Sequence, residues 1–428
     1  MNKRMLLTIL PVFWPKMPPI GLASLKDYLK EHGIQSDVLD LNVYFYNLVS
    51  GDLKRSWIKS CNTALEKNIL SVLDKEAPGE FQKVLNKLST YDCLGFSCFK
   101  SNLNFTLETA QIIKSKNSNI RILLGGPEIT RQYFKTKGVF DEYLKSLADL
   151  LVVGEGELPL KKYLSGEITE KVSLFDELET LSDVFPKYDG FEVPSYPRKG
   201  SISLIFSRGC VRRCAFCSER LLYKGFRSRS VSGLLEEIAY HKEKNISDFV
   251  FHDSMFNGDL KKLNEFCDGV MKRFGSINWE AQVGIRTDMP DKLFEKMKKS
   301  GCYNLFVGLE SGCARTLDNM RKGFAPDDAR AFFRKLKKAE LNFGVSFIVG
   351  YPGETEKDFK ESLSFMIENK DLIPKVEQVN PFTHYDGTEV FETMEERGSL
   401  NRLEIFIAAL KDNGIRYTNA FIGNLIEK

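Results

Sequence analysis

The chain has 428 residues, 43% of them hydrophobic and 28% charged, with a formal net charge of +3. That composition fits two or three folded domains and excludes a disordered tail or a fibre. Lys and Arg are spread along the length, so charge alone nominates no nucleic-acid surface and no acidic tail.

The opening MNKRMLLTILPVFWP starts like a signal peptide, but its apolar run is short, is cut by Pro11 and lacks a small-residue cleavage site. It reads as a buried first strand. No stretch reaches the roughly 18 apolar residues of a membrane span. Nine cysteines, only three at motif spacing, fit reduced thiols in a cytoplasmic protein. Cys61, Cys93, Cys98, Cys267, Cys302 and Cys313 read as core or helix residues.

In chain order, Met5 to Leu10 is followed by a Pro-rich turn and by an amphipathic helix from Ile20 to Glu31, closed by Gly33. Further strands are expected at Ser36 to Leu41, Cys93 to Phe99, Ile120 to Leu124 and Leu150 to Val153, with helices between them. This alternation predicts a doubly wound parallel sheet, with ligands beyond the carboxyl ends of its strands. Those ends carry Pro11, Ser97, the pair Gly125 and Gly126, and the pair Gly154 and Glu155, where glycine lets backbone approach a ligand closely. The segment from Asn42 to Tyr91 is too long for a plain crossover and predicts two or three inserted helices. From Gly166 to Ser201 periodicity fades and Pro and Gly accumulate, which marks a linker.

The pattern PPIGLASLKDYLKEHG, then GGP, then GEGE, is similar to the cobalamin-binding domain that precedes the catalytic domain in one subgroup of radical S-adenosylmethionine (SAM) enzymes. The resemblance implies cobalamin at Pro11, Ser97, Gly125, Gly126, Gly154 and Glu155. A supporting Rossmann-like half without a ligand is the plainer alternative, because a fold does not fix a function. The D-x-H-x-x-G loop that supplies a cobalt-binding histidine in another cobalamin family is absent.

Ser203 to Ser207 reads as a buried strand that delivers the loop SRGCVRRCAFCS, in which Cys210, Cys214 and Cys217 stand four and then three residues apart. A structural zinc site needs a fourth ligand, yet no other Cys or His lies within twenty residues on either side. Three thiolates on an iron-sulfur cluster leave one iron open to something other than protein. An incomplete zinc knuckle or a chance cluster is the bland alternative. The C-x-x-x-C-x-x-C spacing, with Phe216 before the last Cys, resembles the cluster motif of the radical SAM superfamily. There the amine and carboxylate of SAM fill the open site of a 4Fe-4S cluster.

Five later strands are expected, at Asp248 to His252, Trp279 to Val283, Tyr303 to Gly308, Phe343 to Val349 and Val376 to Asn380. With the first they resemble the family's partial (β/α)6 barrel, whose chemistry gathers at the strand ends. The resemblance implies a SAM contact at Asp253 after the second strand, where a helix N-cap is the ordinary alternative. It implies ribose contacts at Gly308, Glu310 and Ser311 in GLESG, and an adenine contact at Gly350. Arg286 and the triplet Arg227, Ser228, Arg229 are candidates to oppose the methionine carboxylate, or else solvated cations. Asp386 departs from the family's P-x-P-G-T pattern. The domains are thus read as 1–165, a linker 166–200, the barrel 201–385 and a helical C-terminal region 386–428.

The four histidines form no metal constellation. The resemblance implies that SAM is cleaved reductively to a 5′-deoxyadenosyl radical, with cobalamin-dependent methylation of an unactivated carbon as the leading outcome. A radical cyclase, dehydrogenase or epimerase is the alternative within the superfamily, and a non-catalytic electron carrier lies outside it. It further implies an electron donor such as flavodoxin or ferredoxin. The substrate, whether peptide, small molecule or lipid precursor, is marked by no motif.

Overall fold

The structure is a computed structural model and describes residues 4–58, 63–182, 184–390 and 399–417. Cys61, read above as a core or helix residue, lies outside the described residues. The chain forms two compact units, one of Met1–Ser203 with Leu221–Lys224, the other of Leu204–Arg220 with Gly225–Lys428.

The first unit is built on a six-stranded parallel sheet: β1 (Met5–Ile9), β2 (Asp37–Asp40), β3 (Cys93–Ser97), β4 (Arg121–Gly125), β5 (Leu150–Val153) and β6 (Val172–Leu174), in the order β2-β1-β3-β4-β5-β6. Every residue of β1 and β5 is buried, as a sheet covered on both faces requires. Successive side chains serve opposite cores: Leu6, Leu94, Leu124 and Leu151 on one face, Leu7, Cys93, Leu123 and Leu150 on the other. Leu22 and Leu29 of the helix Ile20–Glu31 cover the second face.

Two expectations change here. Among the described residues the insert between β2 and β3 holds five short helices, Leu41–Leu48, Gly51–Ile58, Thr63–Lys67, Ile69–Glu76 and Glu80–Leu88, not two or three. It is broken near Gly51, Asn68 and Gly79, and Gly79 takes the left-handed conformation (φ +76°) that opens the last helix. The sixth strand, β6, arises inside 166–200, where three residues are too few to show a period.

The chain continues with β7 (Ser201–Leu204), whose last residue opens the second unit, a two-residue ribbon of β8 (Ser207–Arg208) with β9 (Arg227–Ser228), and then β10 (Asp248–Phe251), β11 (Asn278–Val283), β12 (Cys302–Glu310), β13 (Phe343–Val349) and β14 (Val376–Pro381). β7 and β10 to β14 form a six-stranded sheet in strictly sequential order, while β8 and β9 pair antiparallel. Right-handed crossovers in one direction put all connecting helices on one face. On that face Phe343 stacks on Phe333 of the helix Pro326–Lys338 at 5.3 Å, and Phe347 meets Phe406 of the helix Ser399–Asp412 at 5.0 Å. Trp279 is enclosed by Phe251, Phe256 and Phe266.

The strand expected from Ser203 to Ser207 stops at Leu204. The buried Asp253 carboxylate accepts hydrogen bonds from the backbone N–H groups of Phe206 (3.1 Å) and Ser207, drawing them out of the sheet and letting Ser207 join the ribbon.

Candidate active site

The loop between β8 and β9 holds Cys210, Cys214 and Cys217, all half-buried. Gly209 enters it at φ +77°, where a Cβ would collide with the backbone of Gly225, so the loop closes only with glycine there. Inside the loop the Cys217 N–H donates to the Cys214 carbonyl (3.2 Å), and the Arg212 N–H donates to the Cys210 sulfur (3.4 Å). The loop is also moored from outside. The Arg212 guanidinium donates to the Lys322 carbonyl at 2.7 Å and to the Ile285 carbonyl at 2.8 Å, and the Ala215 N–H donates to the Met320 carbonyl at 3.0 Å. The cysteines are thereby tied to the segments that follow β11 and β12.

Burial pushes the Cys217 thiol up to about 12, with Glu219, Cys214 and Cys210 adding to the rise, and burial likewise raises Cys210. Crowded, half-desolvated thiols resist ionising on their own, whereas a metal centre reverses that preference. Among the described residues, Cys313, Asp358 and Glu361 are a group whose ligand atoms all lie within 4.8 Å of one another; the three loop thiols do not gather so closely. One tetrahedral zinc would demand that they do, while a cluster takes each thiolate on a different iron. The donor set therefore fits a cluster. The Cys313 group is already committed, because Asp358 pairs with Arg315 and caps its helix through Thr355.

At the end of β12 the pairing register shifts between Gly308 and Glu310, and Glu310 adopts φ +73°. A non-glycine residue held there costs about 1–3 kcal/mol, and such strain gathers at functional sites. The Glu310 carboxylate stands 3.5 Å from the Lys322 ammonium, and both side chains are largely buried. A Cβ at Gly308 would lie 3.0 Å from the Glu310 carboxylate and 3.5 Å from Lys322 Nζ, so the bare strand makes room for this pair. Lys322 Nζ also lies 5.9 Å from the Phe216 ring, whose edge meets Tyr351 at 6.2 Å. The cysteine loop, Glu310, Lys322 and Tyr351 thus form one constellation.

The other sequence-nominated residues make these contacts. Asp253 accepts from the Ser207 hydroxyl at 2.5 Å besides the two N–H groups above, and burial raises its pKa to about 6. Arg286 forks onto Asp288 at 2.8 and 2.5 Å and donates to the Asn257 and Gly258 carbonyls at 3.1 and 2.7 Å. Ser311 is buried, with its hydroxyl 2.8 Å from that of Ser362. Gly350 (φ +73°) donates its N–H to Glu354 at 2.8 Å, and Arg402 holds the same carboxylate at 2.9 Å. Arg229 is buried and ion-paired with Glu237. Lys262 donates to the Ser228 hydroxyl at 2.8 Å.

Sequence reading missed Arg212 and Lys322. Arg212 stood inside the motif, where only its cysteine neighbours were read. Lys322, in DNMRKG, looks like an ordinary cation after a helix until the fold brings Glu310 beside it.

In the first unit the strand order reverses at β1, so the loops after β1 and β3 flank the switch point where ligands of such sheets bind. Buried Asn102 ties them together: its amide donates to the Leu10 carbonyl at 3.1 Å, beside Pro11, and to the Ser97 carbonyl at 3.2 Å. Ser101 donates to the Val12 carbonyl at 2.6 Å, and Phe13 lies on Phe99 at 4.2 Å. The Cys98 N–H donates to the Gly125 carbonyl at 2.7 Å, and a Cβ at Gly126 (φ +103°) would come within 2.8 Å of the Cys98 carbonyl, so this glycine is required by loop against loop. Gly154 (φ +91°) donates to Thr130 at 2.9 Å. Glu155 is buried and accepts from the Leu178 N–H at 3.3 Å. Half-buried Ser97, Gly125, Phe13 and Phe99 offer backbone, hydroxyl and ring contacts with no metal-ligating side chain among them. That chemistry fits a corrinoid held without a protein ligand to cobalt. Asn102 was not nominated from sequence, where it looks like a plain residue before a helix.

An open, sequential strand-helix sheet with three cysteines at the end of its first strand defines an iron-sulfur enzyme class. Residues 204–366 match the family model for the radical SAM superfamily, a span that contains the cysteine loop, Glu310 and Lys322. The matched span is a radical SAM domain, and it covers less than half of the chain. It is 26% identical over 336 residues to an uncharacterized methyltransferase of Pyrococcus horikoshii, covering 73% of this chain and 71% of that protein. The cobalamin-dependent radical SAM enzyme OxsB, solved with aqua-cobalamin and SAM, shares the fold over 96% of this chain with a TM-score of 0.64 and 19% identity; the match spans 56% of OxsB. The radical SAM methyltransferase TsrM of Kitasatospora setae matches 91% of this chain and 75% of its own, with a TM-score of 0.71 and 15% identity. The fold of the chain is therefore that of the cobalamin-dependent radical SAM enzymes.

Proposed function

We propose that this radical SAM enzyme binds cobalamin in its first unit and methylates an unactivated carbon. The observation that carries the reading is the presence of two features in one chain, a three-cysteine loop moored against the Glu310–Lys322 pair and a switch-point loop cluster, in a fold that matches OxsB, which was solved with aqua-cobalamin bound. When bound, a 4Fe-4S cluster supplies one electron to the sulfonium of SAM, and the corrinoid supplies the methyl group.

The chain's own residues hold geometry. Cys210, Cys214 and Cys217 would hold three irons, and Arg212 fixes the loop so that the open coordination position stays in place. Glu310 would accept from ribose hydroxyls, with the Lys322 ammonium beside it at 3.5 Å. Asp253 and Arg286 act as positioning residues, the first shaping the chain ahead of the cysteines and the second holding the segment after β11. Ser97, Gly125 and the rings of Phe13 and Phe99 would receive the corrinoid. Electrons would come from a small donor such as flavodoxin or ferredoxin.

The test is anaerobic reconstitution of the cluster, addition of hydroxocobalamin and gel filtration. Retention of about one corrinoid per chain by its optical spectrum, with 5′-deoxyadenosine formed from SAM and dithionite, is expected. Radical cleavage without corrinoid retention would replace methyl transfer by cyclisation, dehydrogenation or epimerisation.

A further inference from the structure

The two faces of the second sheet differ sharply. The face under the helices carries Trp279, Leu305, Val307, Phe343, Val345 and Phe347, all buried. The opposite face of the same strands presents Gln282, Phe306, Ser346, Ile348, Gln378 and Asn380, and both glutamines are exposed. A parallel sheet covered on both faces would be apolar on both.

The register orders this second face into rows. Gln282 lies opposite Phe306; Gly308 lies opposite Ser346, which lies opposite Gln378; Ile348 lies opposite Asn380. The middle row runs directly beneath the Glu310–Lys322 pair, which packs against the bare backbone of Gly308. Ser346 is only 4% exposed, and its hydroxyl has no hydrogen-bond partner among the described residues. A buried hydroxyl without a partner costs about 1–3 kcal/mol, so something outside the chain is expected to satisfy it.

The charge on this part of the face is neutralised in place. Glu310 is matched by Lys322 at 3.5 Å and Glu377 by Lys375 at 2.8 Å, while Glu280 stands one row farther from the cysteine loop, opposite Asn304. What remains to contact a ligand is amide, hydroxyl and one aromatic ring. Amides both donate and accept, so they match a neutral molecule that does the same. An alkyl chain would leave the Ser346 hydroxyl and two amides unpaired, and a strongly charged ligand would find no free counter-charge among these rows.

We propose that this face is the substrate site, and that it selects a neutral molecule dense in hydroxyl or amide groups, held by Gln282, Gln378 and the Ser346 hydroxyl with Phe306 as an apolar platform. The inference rests on the radical SAM reading for its placement beside Glu310, and it narrows the substrate away from lipid precursors.

Saturation-transfer NMR on the reconstituted full chain with SAM present tests it, using methyl α-glucoside and N-acetylglycinamide as neutral probes and sodium octanoate as the apolar one. Binding of the glucoside or the amide is expected, weakened about twofold to tenfold by each of Gln282→Leu, Gln378→Leu and Ser346→Ala. Which neutral probe binds tells hydroxyl from amide chemistry. Both glutamines are exposed, so their variants should keep the wild-type melting profile; Ser346→Ala removes a single oxygen. Octanoate binding that survives or strengthens in the leucine variants would overturn the proposal, as would a failure of both neutral probes to bind. Uncoupled 5′-deoxyadenosine release by dithionite-reduced wild-type protein, run without probe, reports the radical reading separately. Its absence alongside variant-sensitive probe binding would sink the radical reading and support the face, while its presence with probe binding indifferent to all three variants would sink the face alone.

Discussion

Cys210, Cys214 and Cys217 differ from the other described cysteines in one physical respect: they are half-exposed in a loop held open by Arg212, whereas Cys93, Cys98, Cys267, Cys302 and Cys313 are buried. Burial alone raises Cys267 to about 12, so that thiol is inert. Replacing any one of the three loop cysteines by Ala is expected to abolish both the reconstituted cluster and 5′-deoxyadenosine formation, read as iron per chain and by product chromatography. Cys267→Ala should keep the iron, at a stability cost on the order of 1–2 kcal/mol for the small void left in the core. Full iron in any loop variant would remove the cluster assignment. At the neighbouring position, Glu310→Gln keeps the shape and discards the charge that Lys322 neutralises. It should weaken SAM binding by about 1–3 kcal/mol while leaving cluster iron untouched, by anaerobic calorimetry. Unchanged affinity would return Glu310 to a purely structural part.

Among the elements, the junction after β2 couples a cap to a distant segment. Asp40 ends that strand and caps the helix Leu41–Leu48 by accepting from the Val43 N–H at 2.8 Å, while its other oxygen accepts from the Tyr196 hydroxyl at 2.7 Å. Burial raises its pKa from 3.8 to about 6, against the pull of those hydrogen bonds. The folded state therefore holds this proton more tightly than the unfolded chain. Its stabilising contribution is complete below 3.8 and is lost as pH rises through about 6. Asn at this position stays neutral and can still accept from Val43 while its amide faces the tyrosine oxygen. Asp40→Asn should match the wild type near about pH 4 in urea midpoint and exceed it by up to about 3 kcal/mol near about pH 7. A difference that does not change with pH would mean that Asp40 titrates alike in the folded and unfolded chain.

For the whole molecule, the cobalt question turns on where histidine can be. His32 is the one histidine before residue 241. It caps the carboxyl end of the helix Ile20–Glu31, with Nδ1 2.8 Å from the Tyr28 carbonyl. That helix starts beyond the carboxyl end of β1 and runs back along the sheet, which puts His32 at the amino edge, away from the loops of Asn102 and Gly126. Any nitrogen superhyperfine splitting of bound cob(II)alamin in electron paramagnetic resonance should therefore come from the cofactor's own base, and His32→Ala should leave the spectrum unchanged. Nitrogen splitting lost in that variant would make His32 the ligand.

Local chemistry made part of this legible in the sequence. Three thiols at C-x-x-x-C-x-x-C spacing can share a centre, because a short loop keeps them near one another. The strands were legible as well, since period-2 apolar runs such as FGVSFIV expose their buried face wherever they stand. β6 was not, being three residues long, and neither was the early end of β7, which depends on a carboxylate 46 residues later. The same limit hid the functional pairs. Lys322 acquires a role only when the turn after β12 folds back on Glu310, Arg212 only when the segments after β11 and β12 offer it carbonyls, and Asn102 only when β1 and β3 become neighbours. The sequence by itself determined which chemistry the chain can perform, because ligand type and spacing are local. Tertiary structure decided which side chains surround that chemistry and which sheet face is left polar, because those contacts join residues that only the packed sheet brings together.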